Sequence, residues 1–272
     1  MNEMKDENLP ANPAEERKPK KQLINELAKL RQQISELEGS EAQHKLREKR
    51  LKRSIKEKEI LIKEVHHRVK NNMQIIYSLL SLQSRRIKDK NILKILQESQ
   101  NRVRSMALLH EKLYQSKDLA MIEFGDYIRK LVYSLFHTYA VSSDSIILKI
   151  NAENIHMDIN TAIPCGLIIN ELVSNSLKHA FPESKGWSDK GETKGQIYIK
   201  LTSHKKNNFT LTIRDNGVGF PGDLDFRSTQ SLGLQLVNTL VKQLEGSIEL
   251  RQKDGTSFKI EFTPIKRKSP PH

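Results

Sequence analysis

Apolar side chains recur at alternating spacings of four and three residues near the start of the chain. The positions are Leu23, Leu27, Leu30, Ile34 and Leu37. This spacing is typical of the a and d positions of a coiled coil, so we predict a coiled coil over residues 21–40. Gly39 and Ser40 interrupt the apolar seam. Residues 1–20 contain three prolines and many charged side chains, a composition that predicts disorder.

A second apolar register follows the interruption. Its positions are Leu51, Ile55, Ile62, Val65, Val69, Ile76 and Leu79. The pattern predicts a helix that ends near Ile87, a turn at residues 88–91 and a second amphipathic helix over about 92–115. One helical hairpin cannot bury both of its apolar stripes. We therefore predict a homodimer in which two such hairpins, residues 41–118, form a four-helix bundle.

The pattern changes to that of a compact α/β domain over residues 119–265. Helical periodicity covers 124–139, 161–180 and 231–246, and alternation typical of strands covers 145–150, 196–203, 209–215 and a hairpin over 247–262. These elements lack a regular βαβ rhythm. We expect an α+β fold, a mixed sheet covered on one face by helices in a two-layer sandwich.

Composition narrows the partners only slightly. The formal net charge is +13, which favours polyanionic partners such as nucleic acid, anionic lipid or phosphorylated ligands. Aromatic residues make up only 6% and no nucleic-acid module is recognisable, so we predict no nucleic-acid partner, despite the basic tail at 266–272. A single cysteine excludes an intramolecular disulfide. No apolar run approaches the length of a membrane span, and the expected location is cytoplasmic.

One helical segment, NELVSNSLKHAFP at residues 170–182, carries side chains suited to a metal–phosphate ligand. Glu171, Asn175, Lys178 and His179 are spaced so that they share one helix face. Asparagine supplies a neutral oxygen to Mg²⁺, lysine neutralises phosphate, and glutamate orients a nucleophile or a metal-bound water. An ordinary polar solvent face would show the same spacing, so this segment alone leaves both readings open.

Three glycine-containing stretches follow that helix. RDNGVGFP, residues 214–221, places Asp215, Gly217 and Gly219 at a strand end, where glycine permits close ligand approach and a fixed carboxylate suits an adenine amino group. Gly233 begins a helix, and helix N-termini hold anions. DGT, residues 254–256, has the simpler reading of a hairpin turn.

The order of these motifs resembles the ATP-binding domain shared by histidine kinases, gyrase-type ATPases and Hsp90-like chaperones. The resemblance spans about 124–263. It implies that Asn175 is the Mg²⁺ ligand and that Lys178 contacts phosphate. It also implies an ATP site that includes Glu171, His179, Asp215, Gly217, Gly219, Gly233, Leu234 and Thr256. The second glycine-containing stretch, at Gly233, departs from the family pattern because it has one glycine where many members have two. The loop at 220–231, which corresponds to the lid over the nucleotide in that family, is short.

The upstream run EVHHRVKNNMQ, residues 64–74, gains meaning beside such a domain. It resembles the phosphoacceptor module of sensor histidine kinases in the branch whose signature is H-R-x-x-N, and the match begins at His67. His66 neighbours apolar positions of the seam, whereas His67 neighbours polar ones. Because a nucleophile must reach solvent and a second domain, we favour His67 as the acceptor, with His66 as the alternative.

Two residues near His67 have expected roles in that module, and a third departs from its pattern. Arg68 stands where other histidine kinases carry an acidic residue. Glu64, one turn earlier, is the candidate to orient the histidine instead, and Asn71 matches the position used for phosphatase activity in related families. The resemblance thus implies ATP- and Mg²⁺-dependent autophosphorylation, then transfer to an aspartate of a response regulator.

Two other classes fit parts of the sequence. A serine-directed kinase with the same ATP domain would not need a histidine on a dimerising hairpin. A scaffold or pseudokinase would act only through coiled-coil partners, and it has no use for the acid, amide and lysine at 171–178. Residues 1–40 are too short for a sensory domain, so an input is expected from an upstream sensor domain or protein.

Overall fold

The computed structural model describes residues 20–115, 121–139, 145–182, 194–204, 208–222, 224–229 and 231–265. It divides into two compact units, residues 1–58 and 59–272. The sequence predictions for residues 1–19 and for the basic tail at 266–272 lie outside the described residues.

A single long helix, α1 (Lys20–Ser84), contains both apolar registers. The helix continues through Gly39, so the interruption of the seam does not interrupt the backbone. Glutamate–lysine pairs four residues apart, such as Glu41 with Lys45 and Glu48 with Lys52, stabilise such a polar helix by a few tenths of a kcal/mol each. No residue of α1 is fully buried within the described chain, and its leucines and isoleucines are exposed except for the half-buried Leu80.

The second helix, α2 (Lys90–Gln115), begins two residues before the predicted start. The carboxylate of Asp89 caps it by accepting hydrogen bonds from the backbone amides of Asn91, at 2.8 Å, and Ile92, at 3.3 Å. One face of α2 is buried through Asn101, Ser105 and Leu109. Since Leu109 belongs to the core cluster of the α/β part, α2 packs against that part of the chain.

Five strands form the main sheet. They are β2 (Ile146–Asn151), β4 (Gly195–His204), β5 (Asn208–Asp215), β6 (Ser247–Arg251) and β7 (Ser257–Phe262), in the order β2-β4-β5-β7-β6. The β2–β4 pair is parallel and the other three pairs are antiparallel, so the predicted mixed sheet is confirmed. Two short strands, β1 (Ile122–Glu123) and β3 (His156–Met157), pair separately; at two residues each they are too short to show a periodicity.

Three helices complete the α/β part: α3 (Phe124–Thr138), α4 (Ile159–Asn175) and α5 (Leu232–Gln243). The core lies between them and the sheet, where alternate residues of β4 and β5 are buried. Asp158 caps α4 by accepting hydrogen bonds from the backbone amides of Asn160 and Thr161. Helices followed by a sheet domain agree with the predicted order of elements.

The end of α4 differs from the sequence prediction. A regular helix was expected to Ala180, but Ser176–Ala180 form a π-helical turn. Such turns are rare in proteins, and those that occur are often found at functional sites. The turn carries Lys178 and His179, two of the predicted site residues.

Candidate functional site

A cavity of about 320 Å³ lies where the C-terminal end of α4 meets the loop after β5, the start of α5 and the start of β7. Its volume is within the range of small-molecule sites. Six of the predicted site residues line it: Asn175, His179, Asp215, Gly219, Leu234 and Thr256. Leu172, Ala180, Phe220 and Phe258 add apolar wall. The cavity therefore combines a mainly apolar surface with a few polar groups.

The carboxylate of Asp215 is the most tightly held polar group of this cavity. Its Oδ2 accepts a hydrogen bond from the Ser176 hydroxyl at 2.8 Å. Its Oδ1 accepts from the backbone amides of Gly217 and Thr256, both at 3.1 Å. A carboxylate has about four acceptor positions, so three donors fix the group and leave one position for a ligand N–H.

Two glycines are required by this arrangement. Gly255 has a φ of +106°, and a Cβ there would collide with the backbone carbonyl of Asp215. A Cβ on Gly217 would collide with Ala180 at the end of the π-helical turn. These glycines bring three chain segments close enough for two backbone amides and the Ser176 hydroxyl to hold Asp215.

The four polar side chains predicted to share one helix face divide between the cavity and α2. Asn175 and His179 line the cavity. Glu171 instead forms a bidentate ion pair with Arg102 of α2, at 2.8 Å for both bonds, and the Lys178 ammonium bonds Glu98 of α2 at 2.7 Å. Because both partners, Arg102 and Glu98, belong to α2, Glu171 and Lys178 share the edge that meets α2.

Arg102, Glu98 and Ser176 were missed by the sequence reasoning. Arg102 and Glu98 are 69 and 80 residues from their partners on α4 and its π-helical turn. Charged residues on an amphipathic helix are ordinarily solvated, and their sequence carries no signal that distinguishes these two. Ser176 adjoins a predicted residue, but only the fold shows that its hydroxyl reaches Asp215.

The histidine pair on α1 has two different environments. The imidazole of His67 is exposed, and its Nδ1 lies 3.4 Å from the Asn71 amide. The half-buried His66 has its Nδ1 3.1 Å from that of His110 on α2, so one ring donates and the other accepts. Burial lowers the pKa of His66, and burial together with the charge of His66 lowers that of His110.

Glu64 has a nearer partner than His67. Its carboxylate accepts a hydrogen bond from Arg68 Nε at 2.8 Å. That hydrogen bond and the charge of Arg68 lower the pKa of Glu64, with a smaller contribution from His67. Arg68, the position that departs from the family pattern, thus engages the acid that was expected to orient the histidine.

Two regions of the chain match protein-family models. Residues 64–139 match the family described as "Histidine kinase". Residues 160–266 match "Histidine kinase-, DNA gyrase B-, and HSP90-like ATPase". The chain belongs to the sensor histidine kinases. The exposed His67 lies in the first matched region of this family, and the cavity around Asp215 lies in the second.

Individual relatives agree with that assignment. The sensor histidine kinase PdtaS of Mycobacterium tuberculosis is 32% identical over 75% of this chain and 39% of its own length. The blue-light-activated histidine kinase 2 of Erythrobacter litoralis is 26% identical over 76% of this chain and 58% of its own length. The chain therefore spans about two-fifths to three-fifths of these relatives.

A solved structure supports the fold. The histidine kinase domain of the Erythrobacter litoralis EL346 blue-light-activated histidine kinase superposes with a TM-score of 0.54 at 24% identity, over 74% of this chain and 89% of that one. In the ranges that the structure describes, no helix has the length and hydropathy to cross a membrane.

Proposed function

We propose that this chain is an ATP-dependent protein-histidine kinase that phosphorylates itself on His67 and passes the phosphoryl group to an aspartate of a response regulator. The observation that carries the proposal is the pairing of two sites in one chain. An exposed histidine lies in the histidine kinase region, and a cavity with a fixed carboxylate lies in the ATPase region. A scaffold would need neither.

The cavity fits the adenine end of ATP. Asp215 accepts a hydrogen bond from the adenine amino group, while the apolar wall contacts the faces of the base. Gly217, Gly219 and Gly233 let the backbone approach the nucleotide, Leu234 lines the cavity, and Thr256 holds Asp215 through its amide. His179 lies on the cavity wall, at its exposed side.

Asn175 is the proposed ligand for Mg²⁺. The metal usually keeps several waters and binds through substrate phosphates with few protein ligands, so one amide oxygen beside the cavity fits it. When bound, Mg²⁺ would neutralise the charge on the transferring phosphoryl group. We assign Lys178 as a phosphate contact and Glu171 as the acid that orients a metal-bound water.

His67 is not among the residues that line the cavity, and we propose that the ATP domain swings against the hairpin for transfer. The attack then depends mainly on positioning and on charge neutralisation. Glu64 and Asn71 are the proposed neighbours of the reacting ring, the acid for its orientation and the amide for dephosphorylation of the regulator.

The exposed apolar seam of α1 favours a homodimer. Ile62, Val65 and Ile76 are 43%, 58% and 41% exposed, and a second copy would bury them in a four-helix bundle continued by the coiled coil. The other proposed partners are the receiver domain of a response regulator and an upstream sensor domain or protein.

The test is incubation with γ-labelled ATP and Mg²⁺, followed by acid or alkali treatment of the labelled protein. Wild type is compared with His67→Gln and with the adjacent His66→Gln as the matched control. The expected label is labile in acid, stable in alkali and lost only in His67→Gln. Loss only in His66→Gln would move the acceptor to the inner histidine. If ATP binds but no variant, including wild type, is labelled, the kinase proposal is wrong.

A further inference from the structure

Four charged side chains link α2 to the helix that carries the proposed ATP-site residues. Glu171 bonds Arg102, Arg102 lies 3.9 Å from Glu98, and Glu98 bonds Lys178 at 2.7 Å. We name these four residues the α2–α4 ion-pair chain. Acids and bases alternate along it, so its formal net charge is zero.

The four side chains of the α2–α4 ion-pair chain are largely shielded from water. The exposed fraction of the side chain is 22% for Glu98, 14% for Arg102, 7% for Glu171 and 12% for Lys178. Partly buried pairs are screened by salt much less than exposed ones. The Lys178 ammonium also lies over the ring of Tyr139, 5.6 Å from its centroid. Lys178 is therefore held by an acid of α2 and by the ring of Tyr139, which directly follows α3.

No lysine or arginine is among the described residues that line the cavity. Among its lining residues that the structure describes, Asp215 is the only one with a full charge at neutral pH, and it is negative. A triphosphate needs a cation beside it. The lysine assigned to that role is the one that Glu98 binds.

We propose that Glu98 competes with the phosphates of bound ATP for Lys178, so that nucleotide binding releases α2 from the ATP domain. The inference rests on the proposed function, because it takes Lys178 as the phosphate contact. One ammonium cannot neutralise Glu98 and the phosphates fully at the same time. ATP and α2 therefore oppose each other's binding to this helix by the same factor.

This competition gives the movement toward His67 a physical cause. In the structure, α2 neutralises both charged residues of the α4 edge, Glu171 and Lys178. When phosphates take Lys178, Glu98 becomes a partly buried acid without that partner, which weakens the contact between α2 and the domain. A loaded ATP domain is then freer to leave α2 than an empty one.

The test compares the affinity of the full chain for ATP and for adenosine, each measured with Mg²⁺ by titration calorimetry. Glu98→Gln removes the competing charge and keeps the shape of the side chain. Glu111→Gln is the matched control, since Glu111 is on the same helix but pairs with Lys70 of α1. We expect Glu98→Gln to bind ATP about five- to tenfold more tightly. Adenosine affinity should be unchanged, because adenosine lacks phosphates.

A second measurement isolates the partner. In a Lys178→Met background, Glu98→Gln should no longer change ATP affinity. If Glu98→Gln leaves ATP affinity unchanged with Lys178 present, or changes adenosine affinity equally, the competition is refuted while the nucleotide site stands. If wild type binds neither ATP nor adenosine, the proposed function itself fails.

Discussion

Arg102→Met tests how strongly the hairpin helix is bound to the α/β part. The substitution keeps much of the aliphatic stem but removes both hydrogen bonds to Glu171. That carboxylate has 7% of its side chain exposed and would keep one donor from the bonds described here, the Asn170 amide at 3.0 Å. It would become a buried charge without a counter-ion.

The expected cost is about 3 kcal/mol. Removal of one partner of a buried ion pair typically costs about 3–5 kcal/mol. We take the lower end because α2 can move outward and admit water to Glu171. For a domain of this size, each kcal/mol lowers Tm by roughly 2–4 °C, which gives a decrease of about 6–12 °C.

The assay combines thermal unfolding with hydrogen exchange of the α2 and α4 amides. Arg104→Met is the control, because Arg104 is an exposed residue of the same helix and its loss should change stability by no more than about 0.5 kcal/mol. Glu171→Gln added to Arg102→Met should recover stability, since it removes the uncompensated charge. A loss below about 1 kcal/mol in Arg102→Met, or strict additivity of the two changes, would refute the reasoning.

Three further outcomes follow from the site and from the hairpin. Asp215→Asn should weaken adenosine binding by about 10- to 100-fold in calorimetry, because a hydrogen bond to a charged group is replaced by a weaker one; equal affinity would exclude this carboxylate as the base contact. Gly255→Ala should cost at least about 2 kcal/mol in urea denaturation, since its positive φ and its closeness to Asp215 exclude a side chain, whereas Gly222→Ala, with open space around it, should be neutral. Burial lowers the pKa of His66 and His110, so the unfolded chain binds more protons and stability should fall as the pH decreases below about 6.5; stability profiles of wild type and His110→Phe that run parallel would contradict this.

Periodicity was sufficient for most of the fold. The two long helices, the helix that carries Asn175 and the last hairpin all have apolar positions that repeat at 3.6 or at 2 residues. In these elements the local pattern and the final structure agree. The short strands β1 and β3 lack enough residues for a pattern. No local pattern reveals the π-helical turn at Ser176–Ala180, whose last residue, Ala180, packs against Gly217.

The residues of the candidate site likewise divide into those that the sequence predicted and those that only the fold revealed. Asp215, Gly217 and Thr256 occur in short motifs whose order resembles that of the ATP-binding domain, so the resemblance predicted one shared site, and the structure places Asp215 and Thr256 in the lining of one cavity. Neither the third donor to Asp215, from Ser176, nor the capture of Lys178 by Glu98 has such a motif. Both depend on segments that are distant in the chain and adjacent only after folding.

The sequence by itself thus determined the order of most elements and the family, and it predicted a set of site residues, because these depend on periodicity and on short motifs. Only the tertiary structure decided which partner each charged side chain has. Glu171 and Lys178 look like members of one ligand-facing stripe in the sequence, and the packing of α2 turns them into ion pairs with Arg102 and Glu98. The physical reason is that a charge, once shielded from water, is stabilised by whichever opposite charge the fold brings within reach.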